Sequence, residues 1–342
     1  MAMRLLIMGG TQFLGRHAAE EALRRGHELT LFNRGRSAPD LFPEAERLTG
    51  DRDGGLDPLR GRQFDAVLDP SGYVPRVVAQ SAGLLRDAAG TYLFVSSESV
   101  YATSRKDGLV DEDGALHDPP PPEVEEVMEH YGGLKVACER VVRDAFGDRA
   151  IIVRPGLIVG PYDPTNRFTY WVRRMHDADD GEAVLAPATP DRQVQFIDAR
   201  DLAAWLLDLL EKGTSGVFNA DGPAQPLTMG EALAACAAAA GTAPEVVWAS
   251  ERFLLDRKVE PWMGLPLWIP EDDPEGLAVF DNRRAITAGL SFRPTEQTAA
   301  DTLAWELARL PGPLGEYTAG IPREQERELL AAWRAETEGD AT

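Results

Sequence analysis

The sequence predicts an α/β fold: a doubly wound parallel sheet with helices on both faces, and a smaller lobe that is mostly C-terminal. Short apolar runs alternate with amphipathic stretches through the first half of the chain, which is typical of strands joined by helical crossovers. The runs are almost continuous valine, isoleucine and leucine, as expected for strands buried on both faces. A chain of 342 residues is long enough for one large α/β domain or two closely packed ones.

The elements of the first half follow in a regular order. The predicted strands are RLLIM, HELTLFN, DAVLD, TYLFVSS and AIIVRP, with a weaker strand before Asp51. The helices between them are predicted by FLGRHAAEEALRRG, PRVVAQSAGLLRDAAG and LKVACERVVRDAF. The first of these helices ends at Gly26, because glycine commonly follows the last turn of a helix.

After Pro155 the alternation is less regular. VQFIDARDLAAWLLDLLEKG predicts a strand followed by a helix, and GVFNA and PEVVWAS predict two more strands. Thr228 and Glu231 form the capping-box pattern at the start of an alanine-rich helix. The chain closes with two helical patterns, around EQTAADTLAWELA and EQERELLAAWRAE.

The composition argues against several classes of partner. The chain has 56 acidic and 35 basic residues, a formal net charge of −21, and no run of lysine or arginine. We therefore expect no nucleic-acid partner and no membrane partner, since both surfaces carry negative charge. No apolar run approaches the ~20 residues of a membrane span. The N-terminal apolar stretch continues directly into a glycine turn, so we expect a cytoplasmic protein.

The cysteines and histidines predict no metal site. Cys138 and Cys236 both fall in predicted helices. We interpret them as small buried side chains rather than as a disulfide or a metal-binding pair. The five histidines are scattered and show no zinc-binding spacing.

The glycine turn MGGTQFLG follows the first predicted strand and opens the first predicted helix. In a dinucleotide-binding fold, this turn and the helix N terminus hold the pyrophosphate. Gln12 occupies the position of the usual second contact glycine, so we expect its backbone to lie against the pyrophosphate, displaced outward. The alternative is a strand-turn-helix that contains glycine for packing alone. The predicted cofactor contacts here are Gly9, Gly10, Thr11, Gln12, Phe13, Leu14 and Gly15.

The residues after the second predicted strand bear on which dinucleotide binds. An acidic residue there would bond the ribose 2′-hydroxyl of NAD, but the sequence is LFNRGR. Arg34, with Arg36 nearby, can accept the 2′-phosphate of NADP, so NADP is preferred over NAD. A solvated loop arginine is the alternative. Asn33 and Arg52 are predicted contacts of the same nucleotide, and Asp51 either contacts adenine or forms a surface turn.

A tyrosine and a lysine in HYGGLK indicate acid–base chemistry. Tyr131 and Lys135 are four residues apart and so lie on one face of a helix. A phenol has an unperturbed pKa of about 10, and a neighbouring ammonium lowers that pKa toward the working range. An ordinary surface pair on a helix is the alternative.

Two serines end the buried strand TYLFVSS. Ser96 and Ser97 therefore lie at the edge where open α/β sheets bind ligands. A hydroxyl there can donate to a substrate carbonyl oxygen and stabilise the charge that develops on it during hydride transfer. A serine, a tyrosine and a lysine in this order, behind a glycine turn, are more specific than any of them alone.

These motifs together resemble the extended short-chain dehydrogenase/reductases of the NAD-dependent epimerase/dehydratase family. They occur in the family's order over residues 4 to about 310, as the glycine turn, VSSESVY, YGGLK, VRPGLIVGP, QFIDARDLA and DNRRAITAGLSFRPTEQTAADTLAW. The resemblance implies a Rossmann-type sheet and the catalytic residues Ser97, Tyr131 and Lys135. It also implies cofactor contacts from Pro70, Ser71, Gly72, Ser96, Tyr131, Lys135, Pro155, Gly156 and Leu157.

Two departures from the family pattern bear on function. Glu98 falls where dehydratases of the family carry an acidic catalytic residue, but its neighbour Ser99 is not acidic, which weakens a dehydratase interpretation. The turn without a middle glycine is closer to an atypical branch whose members include chloroplast RNA-binding proteins. The acidic charge and the retained Tyr131 and Lys135 argue against RNA binding by this chain.

The resemblance also implies a division into a cofactor domain and a substrate lobe. The expected parts are 1–154 with about 194–220 as the dinucleotide-binding domain, about 155–193 with 221–310 as the substrate-binding lobe, and 311–342 as a C-terminal helical extension. The predicted substrate contacts are Tyr73, Glu98, Asn166, Arg167, Tyr170 and Trp262. For Trp262, packing of its loop into the core is the alternative.

The leading functional hypothesis is an NAD(P)-dependent reductase or epimerase that transfers hydride at a carbinol or ketone carbon of a small-molecule substrate. In this hypothesis Tyr131 transfers the proton, Lys135 tunes it and Ser97 orients the oxygen. The alternatives are a nucleotide-sugar epimerase or dehydratase that keeps its NAD bound, and a non-catalytic NAD(P)-sensing or RNA-binding relative. The resemblance also allows a homodimer through the helices around RVVAQSAGLLRDAA and LKVACERVVRDAF.

Overall fold

The computed structural model describes residues 2–103, 108–273, 279–309 and 318–340. Two compact units make up the chain. The first comprises residues 1–158, 199–224 and 277–292. The second comprises residues 159–198, 225–276 and 293–342.

Strands and helices alternate through the first unit as the sequence predicts. The strands among the described residues are β1 (Arg4–Met8), β2 (Glu28–Asn33), β3 (Glu46–Thr49), β4 (Phe64–Asp69), β5 (Ala89–Val95), β6 (Leu109–Val110), β7 (Ala150–Pro155), β8 (Ile158–Val159), β9 (Ala183–Pro187), β10 (Gln193–Val194), β11 (Ile197–Asp198), β12 (Gly216–Ala220), β13 (Leu227–Thr228), β14 (Glu245–Ala249) and β15 (Val279–Phe280). The helices are α1 (Phe13–Arg24), α2 (Pro75–Leu85), α3 (Val127–Phe146), α4 (Arg167–His176), α5 (Ala199–Lys212), α6 (Met229–Ala240), α7 (Glu251–Asp256), α8 (Arg283–Thr287), α9 (Thr295–Arg309) and α10 (Arg323–Asp340).

A seven-stranded parallel sheet forms the centre of the first unit. Its strand order is β12-β7-β5-β4-β1-β2-β3, which confirms the predicted doubly wound sheet. The chain passes from β1 to β2 on one side and later returns to β4 on the other, so the strand order reverses between β1 and β4. Open α/β sheets bind their ligands beside such a reversal.

Both faces of this sheet are buried. Helices α2 and α3 pack against each other and share one core with alternate strand residues, among them Leu6, Val67, Tyr92 and Ile152. The strand residues between them, such as Leu5, Ile7 and Leu68, are also buried, and α1 packs against α5. The nearly continuous apolar strands of the sequence are explained by this double burial.

The second unit combines helices with small two-stranded sheets. Helices α4, α6 and α9 pack against one another, β9 pairs in parallel with β14, and β10 pairs antiparallel with β13. The predicted capping box of α6 is confirmed, because Thr228 Oγ1 accepts from Glu231 N at 3.2 Å and Thr228 N donates to Glu231 Oε2 at 2.8 Å.

One part of the expected substrate lobe lies in the first unit instead. Within residues 277–292, β15 pairs in parallel with β6, and the Phe280 ring stacks on Tyr101 with 5.2 Å between centroids. Two-residue strands carry too little periodicity to be recognised in a sequence. Of the expected extension 311–342, residues 311–317 lie outside the described residues, and α10 lies in the second unit.

Cys138 on α3 and Cys236 on α6 are buried free thiols, as predicted. Burial raises the pKa of the Cys138 thiol to about 12. Within the described ranges, no helix is both long and apolar enough to cross a membrane. The same ranges contain no group of three or more histidine, cysteine or acidic side chains that could hold a metal ion.

Candidate active site

The carboxyl edge of the seven-stranded sheet carries most of the predicted site residues. The neighbouring strands β1, β4, β5, β7 and β12 run parallel and therefore all end at this edge. The segments that follow them hold the glycine turn, residues 70–73, residues 96–97, residues 155–157 and Asp221. Adjacent carboxyl ends of parallel strands form the crevice in which such sheets bind ligands.

The glycine turn uses backbone conformations that favour glycine. Gly9 has a φ of +122° and Gly10 a φ of +88°. A Cβ on Gly10 would lie 2.5 Å from Leu31 Cδ2, and a Cβ on Gly15 would lie 3.0 Å from Gly10 N. The missing side chains therefore let α1 and β2 pack directly on the turn. Asn33 Nδ2 donates to Gly9 O at 3.1 Å, which ties the end of β2 to the same turn.

Gln12 precedes α1 with extended backbone and an exposed side chain. Its Nε2 donates to Ser37 Oγ at 3.0 Å, so the amide lies against the loop after β2. Beside it, Thr11 and Phe13 are half-buried and Leu14 is buried. Gln12 does not cap the helix with its side chain, so the first main-chain N–H groups of α1 receive no cap from it. A turn of glycines with such a helix end fits a pyrophosphate.

The residues predicted to recognise the adenosine half lie at the surface. Arg34 and Arg36 are exposed in the loop after β2, where a 2′-phosphate can reach them. Asp51 is also exposed, and its Oδ1 accepts from Asp53 N at 3.1 Å. That hydrogen bond is the geometry of a surface turn, the alternative that the sequence left open for Asp51.

Arg52, predicted as a cofactor contact, holds a buried carboxylate instead. Its Nη1 and Nη2 donate to Asp69 Oδ1 and Oδ2 at 2.9 and 2.7 Å. Asp69 is the last residue of β4 and is 0% exposed, and its Oδ2 also accepts from Tyr92 OH at 2.7 Å. Burial alone would raise the pKa of Asp69, but the Arg52 charge and these hydrogen bonds outweigh burial and lower that pKa. The guanidinium thus faces Asp69 rather than a nucleotide.

The loop after β4 connects this ion pair to the turn. Pro70 and Ser71 are half-buried and Gly72 is buried. Ser71 N donates to Asp69 Oδ1 at 3.1 Å, and Ser71 Oγ donates to Met8 O at 2.7 Å. Met8 is the last residue of β1, directly before the glycine turn, so the loop and the turn are bonded to each other.

Lys135 is buried at this edge of the sheet, with 2% of its surface exposed. Its Nζ donates to Gly72 O at 2.9 Å and to Val95 O at 2.7 Å, and lies 4.3 Å from the centroid of the Phe94 ring. Burial lowers the pKa of Lys135 to about 8, because desolvation disfavours the ammonium. Two main-chain carbonyls and an aromatic face therefore hold a lysine that titrates near the physiological range.

Tyr131 begins the regular part of α3. The residue before it, His130, has non-helical dihedral angles (φ −124°, ψ 25°). The Tyr131 ring is half-buried, with its centroid 6.4 Å from that of Tyr73. A Cβ on Gly132 would lie only 2.1 Å from Ser99 O. The missing side chain at residue 132 therefore lets this turn of α3 pack directly on the main chain of the serine turn after β5.

The two serines differ in their bonding. Ser97 Oγ accepts from Ser99 N at 3.1 Å and donates to Ser99 Oγ at 3.2 Å, capping a short 3-10 turn over Glu98–Val100. Ser96 Oγ is buried and has no hydrogen-bond partner among the described residues. Buried hydroxyl groups nearly always find a partner, so Ser96 is suited to bond a ligand.

A pair of buried carboxyl groups closes the other end of the edge. Glu98 and Asp221 are each 2% exposed, and a Cβ on Gly156 would lie 2.5 Å from Glu98 Oε2 and 2.2 Å from Asp221 Oδ2. Burial raises the pKa of Asp221 to about 7, and burial together with the neighbouring Asp221 raises the pKa of Glu98 well above its usual value. The pair therefore shares a proton at neutral pH. Pro155 and Leu157 are buried on either side of Gly156.

The predicted substrate contacts of the second unit differ in exposure. Asn166 precedes α4 with a φ of +59°, and the Arg167 guanidinium lies 5.0 Å from the centroid of the Trp262 ring. Tyr170, by contrast, is 1% exposed, and its ring centroid lies 5.0 Å from that of Trp171. Tyr170 is thus a core residue rather than a surface contact. For the other three residues, substrate contact stays a prediction.

The sequence analysis missed Asp69 and Asp221. Both follow apolar strands that are buried on both faces, and each places a carboxyl group at the carboxyl edge. An acidic residue directly after a fully buried strand is the signal that could have found them, because burying a carboxyl group is costly unless it has a partner.

Comparisons with known proteins agree with this architecture. A family model described as the NAD dependent epimerase/dehydratase family matches residues 78–220. The chloroplast stem-loop binding protein of 41 kDa b from Arabidopsis thaliana is 29% identical over 265 residues, which cover 71% of this chain and 65% of that protein. The match therefore spans less than two thirds of that relative's length.

Solved structures of low identity share the fold. UDP-N-acetylglucosamine 4-epimerase from Bacillus cereus superposes with a TM-score of 0.65 at 16% identity, covering 89% of this chain and 100% of that one. UDP-glucose 4-epimerase from Thermus thermophilus, solved with NAD, gives a TM-score of 0.63 at 20% identity, covering 89% of this chain and 98% of that one.

The fold is that of an extended short-chain dehydrogenase/reductase. The family match is more specific, because residues 78–220 include Ser97, Tyr131 and Lys135. It places the chain in the NAD-dependent epimerase/dehydratase family.

Proposed function

We propose that the chain is an NAD(P)-dependent oxidoreductase that transfers hydride at a carbinol or ketone carbon of a small molecule. The observation that carries the proposal is the packing of the Tyr131 turn on the serine turn through Gly132, with Lys135 buried one helical turn later. This arrangement supports a proton-transfer group, a hydroxyl donor and a buried cation at the ligand edge of one sheet.

The cofactor contacts proposed for this site lie along the carboxyl edge. The glycine turn would hold the pyrophosphate, while Ser71, Gly72 and residues 155–157 would line the nicotinamide end. When bound, the nicotinamide accepts or returns the hydride. The protein's own part is to hold the reacting carbon near the nicotinamide and to move the proton of the substrate oxygen.

Three side chains share the proton chemistry. Tyr131 takes the hydroxyl proton of a carbinol substrate, or returns a proton to the oxygen of a ketone. The Lys135 ammonium stabilises the phenolate that forms, and its bonds to Gly72 O and Val95 O fix it in place. Ser97 donates to the substrate oxygen and stabilises its developing charge.

The substrate and the net reaction are proposed more finely from the relatives. A reductase exchanges its cofactor after each turnover, whereas an epimerase returns the hydride to the opposite face and keeps the cofactor bound. Solved relatives with the same fold are named as UDP-sugar 4-epimerases, which supports a nucleotide sugar as substrate. Tightly retained NAD in the purified protein, with interconversion of two UDP-sugars, would select the epimerase over the reductase.

Tyr131→Phe tests the mechanism. We expect kcat/KM on the best carbonyl or nucleotide-sugar substrate to fall about 10²–10⁴-fold, since that is the usual contribution of a general acid or base. Cofactor affinity should stay near that of the unmodified protein. Tyr162→Phe, which alters a phenol of the second unit near Trp305, is the matched control and should keep its activity. Full activity of Tyr131→Phe would disprove the mechanism.

The cofactor, the subunit number and the compartment complete the proposal. The exposed Arg34 supports NADP, whereas a solved relative carries NAD; dissociation constants for both cofactors, measured by calorimetry, decide between them. The family resemblance supports a homodimer through α2 and α3, which sedimentation tests. The cytoplasm is the proposed compartment, and cell fractionation tests that assignment.

We propose no nucleic-acid partner, although one relative is named a stem-loop binding protein. The net charge of −21 opposes binding to a phosphate backbone. Retention of the protein on stem-loop RNA at physiological salt, falling as salt rises, would overturn this part of the proposal.

A further inference from the structure

One carboxylate, that of Asp69, joins three segments of the first unit. Its Oδ1 accepts from Arg52 Nη1 at 2.9 Å and from Ser71 N at 3.1 Å. Its Oδ2 accepts from Arg52 Nη2 and from Tyr92 OH, each at 2.7 Å. Paired bonds between a guanidinium and a carboxylate are strong and directional. The loop after β3, the loop after β4 and strand β5 are therefore all bonded to the same side chain.

The loop after β4 extends this bonding to the active site in two directions. Ser71 Oγ donates to Met8 O at 2.7 Å, directly before the glycine turn. Gly72 O accepts from Lys135 Nζ at 2.9 Å. A Cβ on Gly72 would lie 3.3 Å from Asp69 Oδ2, so the main chain that receives the lysine packs closely beside the carboxylate.

We propose that Asp69 is a positioning residue of the active site. Through Gly72 it fixes the carbonyl that receives the Lys135 ammonium, and through Ser71 it fixes the end of β1 below the glycine turn. The inference rests on the proposed function in giving Lys135 and the turn their roles. A carboxylate that only stabilised the fold would change neither the state of Lys135 nor the affinity for the cofactor.

The charges around Lys135 make the first of these effects measurable. The titratable groups that face it are Cys138 and Glu139 on its own helix, Asp69 at the end of β4, Arg52 after β3 and Tyr73 after β4, whose ring centroid lies 5.3 Å from Nζ. Asp69 and Glu139 raise the pKa of Lys135, and Arg52 lowers it. Removing the Asp69 charge leaves Arg52 facing the ammonium without a counter-ion.

The experiment follows Lys135 directly by NMR in the full-length protein. Because the chain has only four lysines, the Lys135 signal of carbon-13-labelled lysine is assigned by comparison with Lys135→Arg. In Asp69→Asn we expect the titration midpoint of Lys135 to fall by about one pH unit. We also expect the dissociation constant for NAD(P) to rise about tenfold, as for a lost hydrogen bond to a charged group.

Glu326→Gln is the matched control. Glu326 forms an ion pair with Arg174 at 2.8 Å in the second unit, and the two side chains are 1% and 0% exposed. Glu326→Gln should lower stability but leave the Lys135 midpoint and the NAD(P) affinity unchanged. A folded Asp69→Asn protein with the midpoint and affinity of the unmodified chain would overturn the proposal.

Ser71→Ala keeps the proposal testable if Asp69→Asn does not fold. This change removes only the hydroxyl between the loop and Met8 O, and we expect the dissociation constant for NAD(P) to rise at least about threefold. An unchanged constant would overturn the proposal. If the unmodified chain turns over no substrate at all, the proposed function fails, but the Lys135 midpoint still tests the role of Asp69.

Discussion

Two aspartates at the same edge of one sheet have opposite electrostatic environments. Asp69 ends β4 and Asp221 follows β12, and the two are 0% and 2% exposed. Asp69 is bonded to the Arg52 guanidinium, and its pKa is lowered. Asp221 lies beside the carboxyl group of Glu98, and its pKa is raised to about 7. The partner, not the depth of burial, therefore decides whether a carboxyl group at this edge is charged.

The difference divides the edge into a region of fixed charge and a region that holds a proton. Around Asp69, a charged pair and several hydrogen bonds set the shape of the loop beside Lys135. Around Asp221, two like groups cannot both ionise in a buried site, so one stays protonated at neutral pH. Since the two regions respond to opposite ends of the pH scale, stability measurements can separate them.

The largest expected effect is that of Arg52→Met. The change keeps much of the side-chain volume but leaves Asp69 buried without a counter-charge, which costs about 3–5 kcal/mol of unfolding free energy. Urea denaturation at neutral pH measures the loss. Adding Asp69→Asn to Arg52→Met should recover at least half of it. A single variant that loses less than about 1 kcal/mol would show that Asp69 does not depend on Arg52.

An intermediate effect is expected from Glu98→Gln. The raised pKa values of Glu98 and Asp221 mean that the folded state binds more protons than the unfolded state above about pH 4, so the free energy of unfolding falls as pH rises toward and past neutrality. The amide that this substitution introduces would donate to the Asp221 carboxylate and remove this loss, a difference on the order of 2 kcal/mol between about pH 5 and pH 8. Urea curves across this range measure it.

The opposite pH limit belongs to Asp69. Its lowered pKa means that its contribution to stability is lost as pH falls below its usual value, near 4. Glu98→Gln should therefore change the neutral and alkaline part of the stability profile and leave the acid part as it is. An unmodified protein whose stability is as flat above about pH 5 as that of the variant would contradict the shared proton.

The smallest expected effect is that of Ser81→Ala. Ser81 Oγ on α2 accepts from Arg52 Nη2 at 3.0 Å and donates to Val78 O at 3.0 Å. Removing it leaves the ion pair with Asp69 intact, so we expect a loss of about 1 kcal/mol by the same urea assay. A loss as large as that of Arg52→Met would mean that the hydroxyl, and not the ion pair, holds Arg52.

The sequence predicts the elements of the sheet well because their signal is local. The strands β1, β2, β5 and β7 are apolar runs, and the capping box of α6 is formed by residues three positions apart. The spacing of Tyr131 and Lys135 likewise follows from the helix on which both lie. In each case the neighbours along the chain already contain the pattern that the structure uses.

The pairing of side chains between loops is not predictable in this way. Arg52 meets Asp69 across 17 residues, and it leaves a loop that gives no periodic signal. Glu98 and Asp221 come from segments after different strands, and they meet because β5, β7 and β12 are adjacent in the sheet. Such contacts depend on packing, which no local pattern in the sequence records. Arg52 was accordingly predicted as a cofactor contact and found as an ion-pair partner.

Gly132 has a consequence for engineering this scaffold. Its missing side chain sets the separation between the Tyr131 turn and the serine turn, so any larger residue there would move a phenol and a hydroxyl apart without altering either group. Libraries that diversify α3 in search of new substrates should therefore keep residue 132 constant. The exposed Tyr73 ring, 45% accessible, is the better position at which to introduce variation.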